Sequence, residues 1–468
     1  MKKIWIVILL FVLFSCRKEH PRSSGLPPAD GSPVTVSLNQ DRPGRTIPKT
    51  FEGLSFETQI LTANPEFLNV NNTVLIQLIK NLGPGILRIG GGTSDEVFWS
   101  ENIRSANTTA DSLTKTDIDR LSDFSKAIGW QVLFGLNLGD NDVIATSNEA
   151  MYVHNSLAGN LYALQSGNEP DVFHYGMRSS DYKYPDYQNE WETYLSAVRN
   201  KVPQAEFAGP DVAYNSDWVT SFGENENNNV KLLDGHYYTT GPATNSSITY
   251  HTILASNDKL SNFLGVIKNE SVKYNLPYRI TETNNVYGGG KSGVSDVFAS
   301  SLWALDVMWT VAENNGDGIN FHGGYGLFYS PVLIQNDLLT ASPEYYAMLA
   351  FKYASAGGTI IPASVDNPGY CSAYACVKAG NIYSFTLINK DEIHTYSFAL
   401  NLNKAASIIQ IARLTAPSLT AATGTTFAGS LVNADGTFEA KTIEQYAVNG
   451  KSFVINVPAG SAAVVTVQ

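Results

Sequence analysis

The chain has 468 residues, of which 43% are hydrophobic and 16% charged, and carries a formal charge of −12 with a pI near 5.1. This is enough apolar material for one large core and a second smaller one, and it excludes intrinsic disorder. The acidic balance excludes nucleic acid or an anionic membrane surface as the main partner, because both select basic patches.

The chain opens with Lys2-Lys3, an apolar stretch over 4–14, and Ser15-Cys16, the pattern of an export signal. Eleven apolar residues are too few to cross a bilayer. Leu13-Phe14-Ser15-Cys16 resembles a bacterial lipobox, which implies that Cys16 becomes the lipidated first residue of an exported, membrane-anchored protein facing the periplasm or the cell surface. A plain signal peptide with a chance cysteine is the alternative. Residues 17–33, rich in Pro, Ser and Gly, have the composition of a flexible tether. Val34 to Leu38 alternates like a strand and, within 34–50, is expected to join a β-domain further along the chain.

Eight short apolar runs follow at intervals suited to a strand-helix repeat: 51–57, 86–91, 131–138, 161–169, 206–211, 232–238, 278–282 and 318–322. Helical patterns separate them at 72–81, 116–127, 187–199, 258–274 and 294–313. Eight is the number that closes a (β/α)8 barrel, expected over 51–354. From 355 to 468 the texture changes to alternating segments between Gly, Asn and Asp turns, which reads as an antiparallel β-sandwich. Cys371 and Cys376 fall on opposite faces if their segment is one strand. A disulfide would need a turn between them, and two buried thiols is the other reading.

In such a barrel the C-terminal ends of the strands converge on one face. Those ends supply Glu57, Arg88 before Gly90-Gly91-Gly92, Asn137, Asn168-Glu169, Asp211, His236-Tyr237-Tyr238, Glu282 and His322. Together they compose a sugar site. Glu169 and Glu282, on the fourth and seventh runs, face each other across the mouth. Two carboxyls about 5–5.5 Å apart are what a retaining glycosidase requires, with Glu169 as general acid/base and Glu282 as nucleophile. The acid has to hold a proton, whereas the nucleophile has to stay ionised. Arg88 and Tyr237 or Tyr238 are the candidates for holding Glu282.

Asn168-Glu169-Pro170 and a glutamate ending the seventh run resemble the large glycoside hydrolase clan that uses two glutamates on a TIM barrel. More narrowly, Gly53-Leu54-Ser55-Phe56-Glu57, Leu87-Arg88-Ile89-Gly90-Gly91, Ser166-Gly167-Asn168-Glu169-Pro170-Asp171, Thr281-Glu282-Thr283-Asn284-Asn285-Val286-Tyr287-Gly288-Gly289-Gly290 and Asn320-Phe321-His322-Gly323-Gly324 are similar to glycoside hydrolase family 79. The resemblance runs from Phe51 to the C-terminus and implies a retaining enzyme of the β-glucuronidase and heparanase kind. It also implies that Tyr287-Gly288-Gly289 binds the sugar's C6 carboxylate, since glycines let backbone N–H groups approach an anion closely. The bland reading of these glycines is a tight turn into the next helix.

Glu57 and Asp95 are candidates for ring hydroxyls, or else structural. Tyr325 and Tyr329 would close over the sugar, or simply pack, and Lys291 would add charge or be solvated. His236 and His322 are read as hydrogen-bond partners of the glutamates. Heparanase is lined with basic residues for a sulfated polymer, and this chain shows no such cluster. Removal of terminal β-linked glucuronic acid or its 4-O-methyl form is therefore the leading reading. A neutral β-galactosidase, β-xylosidase or β-glucosidase is second, and a non-catalytic carbohydrate-binding lipoprotein third. Loss of a glutamate would mark the last, and both glutamates are retained. The chemistry needs no cofactor or metal, and the sequence is silent on oligomeric state.

Overall fold

A computed structural model describes residues 23–101, 112–255, 258–335 and 338–468. The expected lipidation site, Cys16, lies outside them. Each of the eight apolar runs forms a strand: β1 Glu52–Glu57, β2 Ile86–Gly90, β3 Gln131–Leu136, β4 Leu161–Ser166, β5 Ala208–Val212, β6 Leu232–Thr240, β7 Tyr278–Val286 and β8 Gly318–Gly323. All neighbouring pairs are parallel, in the order β4-β3-β2-β1-β8-β7-β6-β5. A parallel bridge from Leu164 to Phe207 brings β4 to β5 and closes the ring. Near its base the interior is filled by Ile86, Leu133, Ala163, Ala208 and Leu232, one from each of five adjacent strands.

The helices follow their local signals. Asn72 caps Thr73–Leu82 by accepting the Leu75 N–H, and Thr114 with Asp117 forms a capping box at the start of Lys115–Ile128. Phe298–Glu313 is buried on nearly every side, polar residues included. Its pattern predicts one apolar face, but the helix Pro343–Ser355 packs on another, and Tyr374 and Lys390 of the β-domain reach Trp309 and Asp306.

The C-terminal β-domain is built on β9 Cys371–Lys378, β10 Ile382–Asn389, β11 Tyr396–Thr415, β12 Glu444–Val457 and β13 Ser461–Val467. The long strands β11 and β12 pair antiparallel along most of their length. The strand Ser32–Leu38 joins this sheet, parallel to β11 and antiparallel to Ala363–Val365, so the domain is not purely antiparallel. The described part of the expected tether departs from that reading. Leu26 packs on the sandwich core, Asn456 Nδ2 donates to the Pro28 carbonyl (2.8 Å), and the Gly31 N–H donates to Ser397 Oγ (3.0 Å). The segment runs along the surface of the β-domain, with Pro27, Pro28, Ser32 and Pro33 still exposed. Cys371 and Cys376 are both free and buried on the continuous strand β9, one facing the sandwich core and the other the barrel side.

The two halves share one apolar core, to which Leu414, Leu419, Phe427 and Val464 of the C-terminal segment contribute. Asp306 on the barrel helix pairs with Lys390 at 2.9 Å, both buried, and Tyr374 also donates to Asp306 (2.7 Å). Burial alone would raise the Asp306 carboxyl, but Lys390 and its hydrogen bonds hold it below the ordinary value. Lys390→Met leaves that carboxylate buried without its cation, and the expected loss in denaturant unfolding is about 3 kcal/mol or more. Replacing Asp306 by Leu in the same chain should restore most of it.

Candidate active site

The strand ends converge as the barrel requires, and Arg88 lies at their centre. It is fully buried, and all five of its N–H donors are used. Nε donates to Gln165 (3.0 Å), Nη1 to Ser55 (3.1 Å) and Glu282 (2.8 Å), and Nη2 to Asn168 (2.8 Å) and Asp211 (2.7 Å). Arg88 therefore holds the site together and has no donor left for sugar, contrary to the sequence expectation that it also binds substrate.

Glu282 lies inside β7, not at its end. The register slips beside it on both sides, opposite Gly235/His236 of β6 and between Ile280 and Thr283 against β8. Such irregularities re-aim a side chain without ending the strand. Its Oε2 accepts from Arg88 and lies 3.6 Å from His322 Nδ1, and its Oε1 accepts from the Tyr238 hydroxyl (2.8 Å). Burial alone would raise this carboxyl. The positive charges of His322, His236 and Arg88, with the Tyr238 hydroxyl, outweigh burial and hold it far below the ordinary carboxylate range. Of the two tyrosines considered for this task, Tyr238 does it; Tyr237 lines the cavity but is 2% exposed and packs beside Tyr214.

Glu169 follows the turn at Gly167 (φ 80°) and itself sits in the left-handed region (φ 53°). A Cβ on Gly167 would stand 2.8 Å from Leu138, so glycine is required there. The Glu169 N–H donates to the Asp211 carbonyl (2.8 Å), and its Oε1 pairs with His236 Nδ1 (2.9 Å). His236 Nε2 pairs with Asp211 Oδ1 (2.8 Å). Burial would lower the His236 value, but Asp211 and Glu282 raise it well above the ordinary imidazole range, so the ring is an imidazolium donating at both nitrogens. Gln165 donates to Asp211 and to Asp234 (2.7 Å). Burial and the Asp211 charge push the Asp234 carboxyl up to about 8. Asp211, Gln165, Asp234 and Thr281 are a supporting layer that individual sequence motifs do not reveal; only Asp211 and His236 stood at a predicted strand end.

One ligand atom each from Glu169, His236 and Glu282 lies within 4.8 Å of the others. As a metal set this is poor, because the imidazolium has no lone pair to offer. As a pair of carboxylates it brings one oxygen of Glu169 within 4.8 Å of one oxygen of Glu282.

The two glutamates open onto a cavity of about 880 Å³ that Glu57, Tyr238, Tyr287, Gly288, Gly289, His322 and Tyr329 also line. Glu57 accepts from the Thr93 N–H (2.9 Å) and hydroxyl (2.6 Å) and faces His322 Nε2 at 3.3 Å. Gly288, Gly289 and Gly290 all have positive φ (84°, 93° and 79°). The N–H groups of Gly288 and Gly289 find no acceptor among the described residues. Behind them the Phe328 N–H donates to the Gly289 carbonyl (2.8 Å), so the 324–330 loop backs the turn.

Three further expectations are corrected. Asp95 is 4% exposed, and its oxygens accept the N–H groups of Leu138, Gly139 and Asn168 (2.7–2.9 Å). Four residues of separation from Gly91 carry it under the Asn168-Glu169 loop and away from the cavity. Tyr325 packs on Phe67 and borders a different hollow. Lys291 is tied to the carbonyls of Asn245 (2.7 Å) and Ile248 (2.8 Å).

A (β/α)8 barrel with two glutamates across its mouth and a β-domain behind it defines a glycoside hydrolase. Residues 373–464 match the Glycosyl hydrolase family 79 C-terminal beta domain. The chain is 24% identical to a β-glucuronidase of Aspergillus niger (75% of this chain, 77% of the relative) and 23% identical to a hyaluronoglucuronidase of Hirudo nipponia (79% and 83%). The solved structure of a 4-O-α-L-rhamnosyl-β-D-glucuronidase from Fusarium oxysporum superposes with a TM-score of 0.73 at 19% identity (94% and 99%). A family 51 arabinofuranosidase from Xanthomonas axonopodis gives 0.71 at 15% (93% and 100%). The C-terminal β-domain thus matches that of glycoside hydrolase family 79, and the chain as a whole is similar to relatives named for glucuronide cleavage.

Two outcomes follow from the charge network. Arg88→Lys keeps the charge but not the planar fork, so it should cost about 3 kcal/mol or more in unfolding and about 100-fold in kcat/KM. The Glu282 carboxyl is depressed in the fold, so its contribution to stability is complete above the ordinary carboxyl value of 4.5 and is lost as pH falls below it. Thermal melts from pH 7 to 3 should drop steeply below that point in the wild type and less steeply in Glu282→Gln.

Proposed function

We propose that the protein is a retaining β-glucuronidase that removes a terminal β-linked glucuronic acid, or its 4-O-methyl form, from a glycan or glucuronide. The observation that carries this reading is one cavity holding two close carboxylates and, at Gly288 and Gly289, two backbone N–H groups with no acceptor among the described residues. The carboxylates suit double displacement and the N–H groups suit a C6 carboxylate. The Aspergillus and Hirudo relatives, named for glucuronide cleavage, support the same substrate class.

In the first step Glu282 attacks the anomeric carbon while Glu169 gives its proton to the leaving oxygen, and the glycosidic bond breaks as the glycosyl ester forms. In the second, Glu169 takes a proton from water, whose oxygen displaces Glu282 with net retention. His236 occupies Oε1 of Glu169, leaving Oε2 for the travelling proton. Asn168 Oδ1 is held by Arg88, and its amide nitrogen has no acceptor among the described residues, while Glu57, which lines the cavity, can accept from a ring hydroxyl. Backing of the Gly288-Gly289 turn by the 324–330 loop supports a pocket that ends at one sugar.

Among matched 4-nitrophenyl β-glycosides, the glucuronide should be cleaved in preference to the glucoside, galactoside and xyloside; preference for a neutral sugar would overturn the uronate reading and keep the two-glutamate mechanism. Glu282→Gln should abolish the glycosyl-enzyme. Glu169→Ala should spare activated aryl glycosides more than natural ones, which need protonation. The sequence of residues 13–16 further supports attachment to a membrane through lipid on Cys16. Fractionated cells should carry the wild type in the membrane pellet and Cys16→Ser in the soluble fraction.

A further inference from the structure

The cavity continues past the sugar pocket. A leaving group protonated by Glu169 must lie beside that residue, and the wall there differs in character from the uronate side. Val172 and Tyr175 come from the turn directly after Glu169, Tyr214 from the loop after β5, and Lys259 from the start of the helix Asp258–Tyr274.

Tyr175 is 81% exposed, with its ring resting against His174 at 3.9 Å between centroids. A ring so little buried at a cavity rim offers an open face to a flat partner. Tyr214 is 39% exposed and keeps φ at 100°, a costly conformation for a side chain with a Cβ. Three contacts impose it: the rings of Phe263 (5.0 Å) and Tyr237 (5.9 Å), and a hydrogen bond from its hydroxyl to the Lys259 carbonyl (2.8 Å). Strain maintained in this way collects at binding sites, and here the same bond fixes the backbone that carries Lys259.

Lys259 is exposed, and its ammonium has no acceptor or carboxylate partner among the described residues. The other cations near the site are engaged, Arg88 in its five bonds and Lys291 on two carbonyls. In a chain of charge −12, a lone unpaired ammonium at this edge selects for a negative group.

We infer that Tyr175, Tyr214 and Lys259 form a leaving-group subsite for a sugar or aryl ring that carries one anionic substituent, a carboxylate or a sulfate. The tyrosines supply the platform and the ammonium pairs with the anion. A single lysine suits a single charge, not a polysulfated chain. The inference rests on Glu169 being the proton donor, as proposed above.

The test compares kcat/KM on β-glucuronides with four leaving groups: fluoride, 4-nitrophenol, 3-carboxy-4-nitrophenol and 3-sulfo-4-nitrophenol. Each variant is read as a ratio to wild type, which cancels intrinsic reactivity. Lys259→Met should lower the ratio of anionic to neutral aryl substrate by about threefold to fivefold, and 0.5 M NaCl should erase that difference in the wild type. The larger loss, carboxylate or sulfonate, identifies the anion. Tyr175→Ala should lower both classes of aryl substrate relative to the fluoride by up to about tenfold. An unchanged anionic-to-neutral ratio in Lys259→Met, or equal losses on fluoride and aryl substrates in Tyr175→Ala, would overturn the subsite. If the wild type prefers another sugar, the same leaving groups on that sugar give the same ratios, so the glycone reading can fail while the subsite is still decided.

Discussion

Arg88 carries a positive charge into a place with no water, and the barrel mouth is arranged around that fact. A guanidinium is tolerated in such a position only when its donors are matched and its charge is answered. Asp211 and Glu282 answer the charge, and Gln165, Ser55 and Asn168 take the remaining donors. Those five partners come from β1, from β4 and the turn after it, from β5 and from β7, so one side chain sets the mutual position of strands far apart in the chain. Glu282 stays ionised because of it. Asn168, the residue before Glu169, is fixed by it.

Charge alternates outward from this centre. Asp211 is shared between Arg88 and His236, His236 reaches Glu169, and His322 stands between Glu282 and Glu57. Two glutamates within 4.8 Å would repel each other in an apolar pocket. Here each has its own cation, which lets them differ in environment: Glu282 is buried and surrounded by positive charge, whereas the Glu169 side chain is 25% exposed with one imidazolium. Different surroundings for chemically identical groups are what the proposed roles of nucleophile and acid/base require.

The backbone contributes strain around the same point. Glu169 in the turn after β4, Asp211 within β5 and Tyr214 in the loop after it, all with a Cβ, adopt positive φ. Such geometry persists only in a rigid frame, and the frame extends beyond the barrel. The shared apolar core and the Asp306–Lys390 pair bind the sandwich to the barrel.

Much of this was legible in residue order. The eight strands stand where alternation and turn residues put them, because an apolar run between glycines and caps has few other uses. Glu169, Glu282, Glu57, Tyr329 and the Tyr287-Gly288-Gly289 turn line one cavity because they lie on the C-terminal halves of strands of one barrel or in the loops that follow them. Asp95 and Tyr325 are as close to strand ends in sequence as the true lining residues, yet they point elsewhere: one is drawn beneath a loop by three backbone N–H groups, the other onto Phe67. Proline and serine in residues 23–33 suggested a free tether because composition reports stiffness and solvation but not the presence of a nearby surface.

What the sequence determined by itself was the set of elements, their order and the chemical groups at their ends, since these depend on periodicity and local backbone preference. Only the tertiary structure decided which groups meet. Arg88 became the hub of the site, Tyr238 rather than its neighbour came to hold Glu282, and Lys259 arrived at the cavity edge with no partner among the described residues. Each of these depends on side-chain direction and on charge partners tens to hundreds of residues away, which local pattern does not encode.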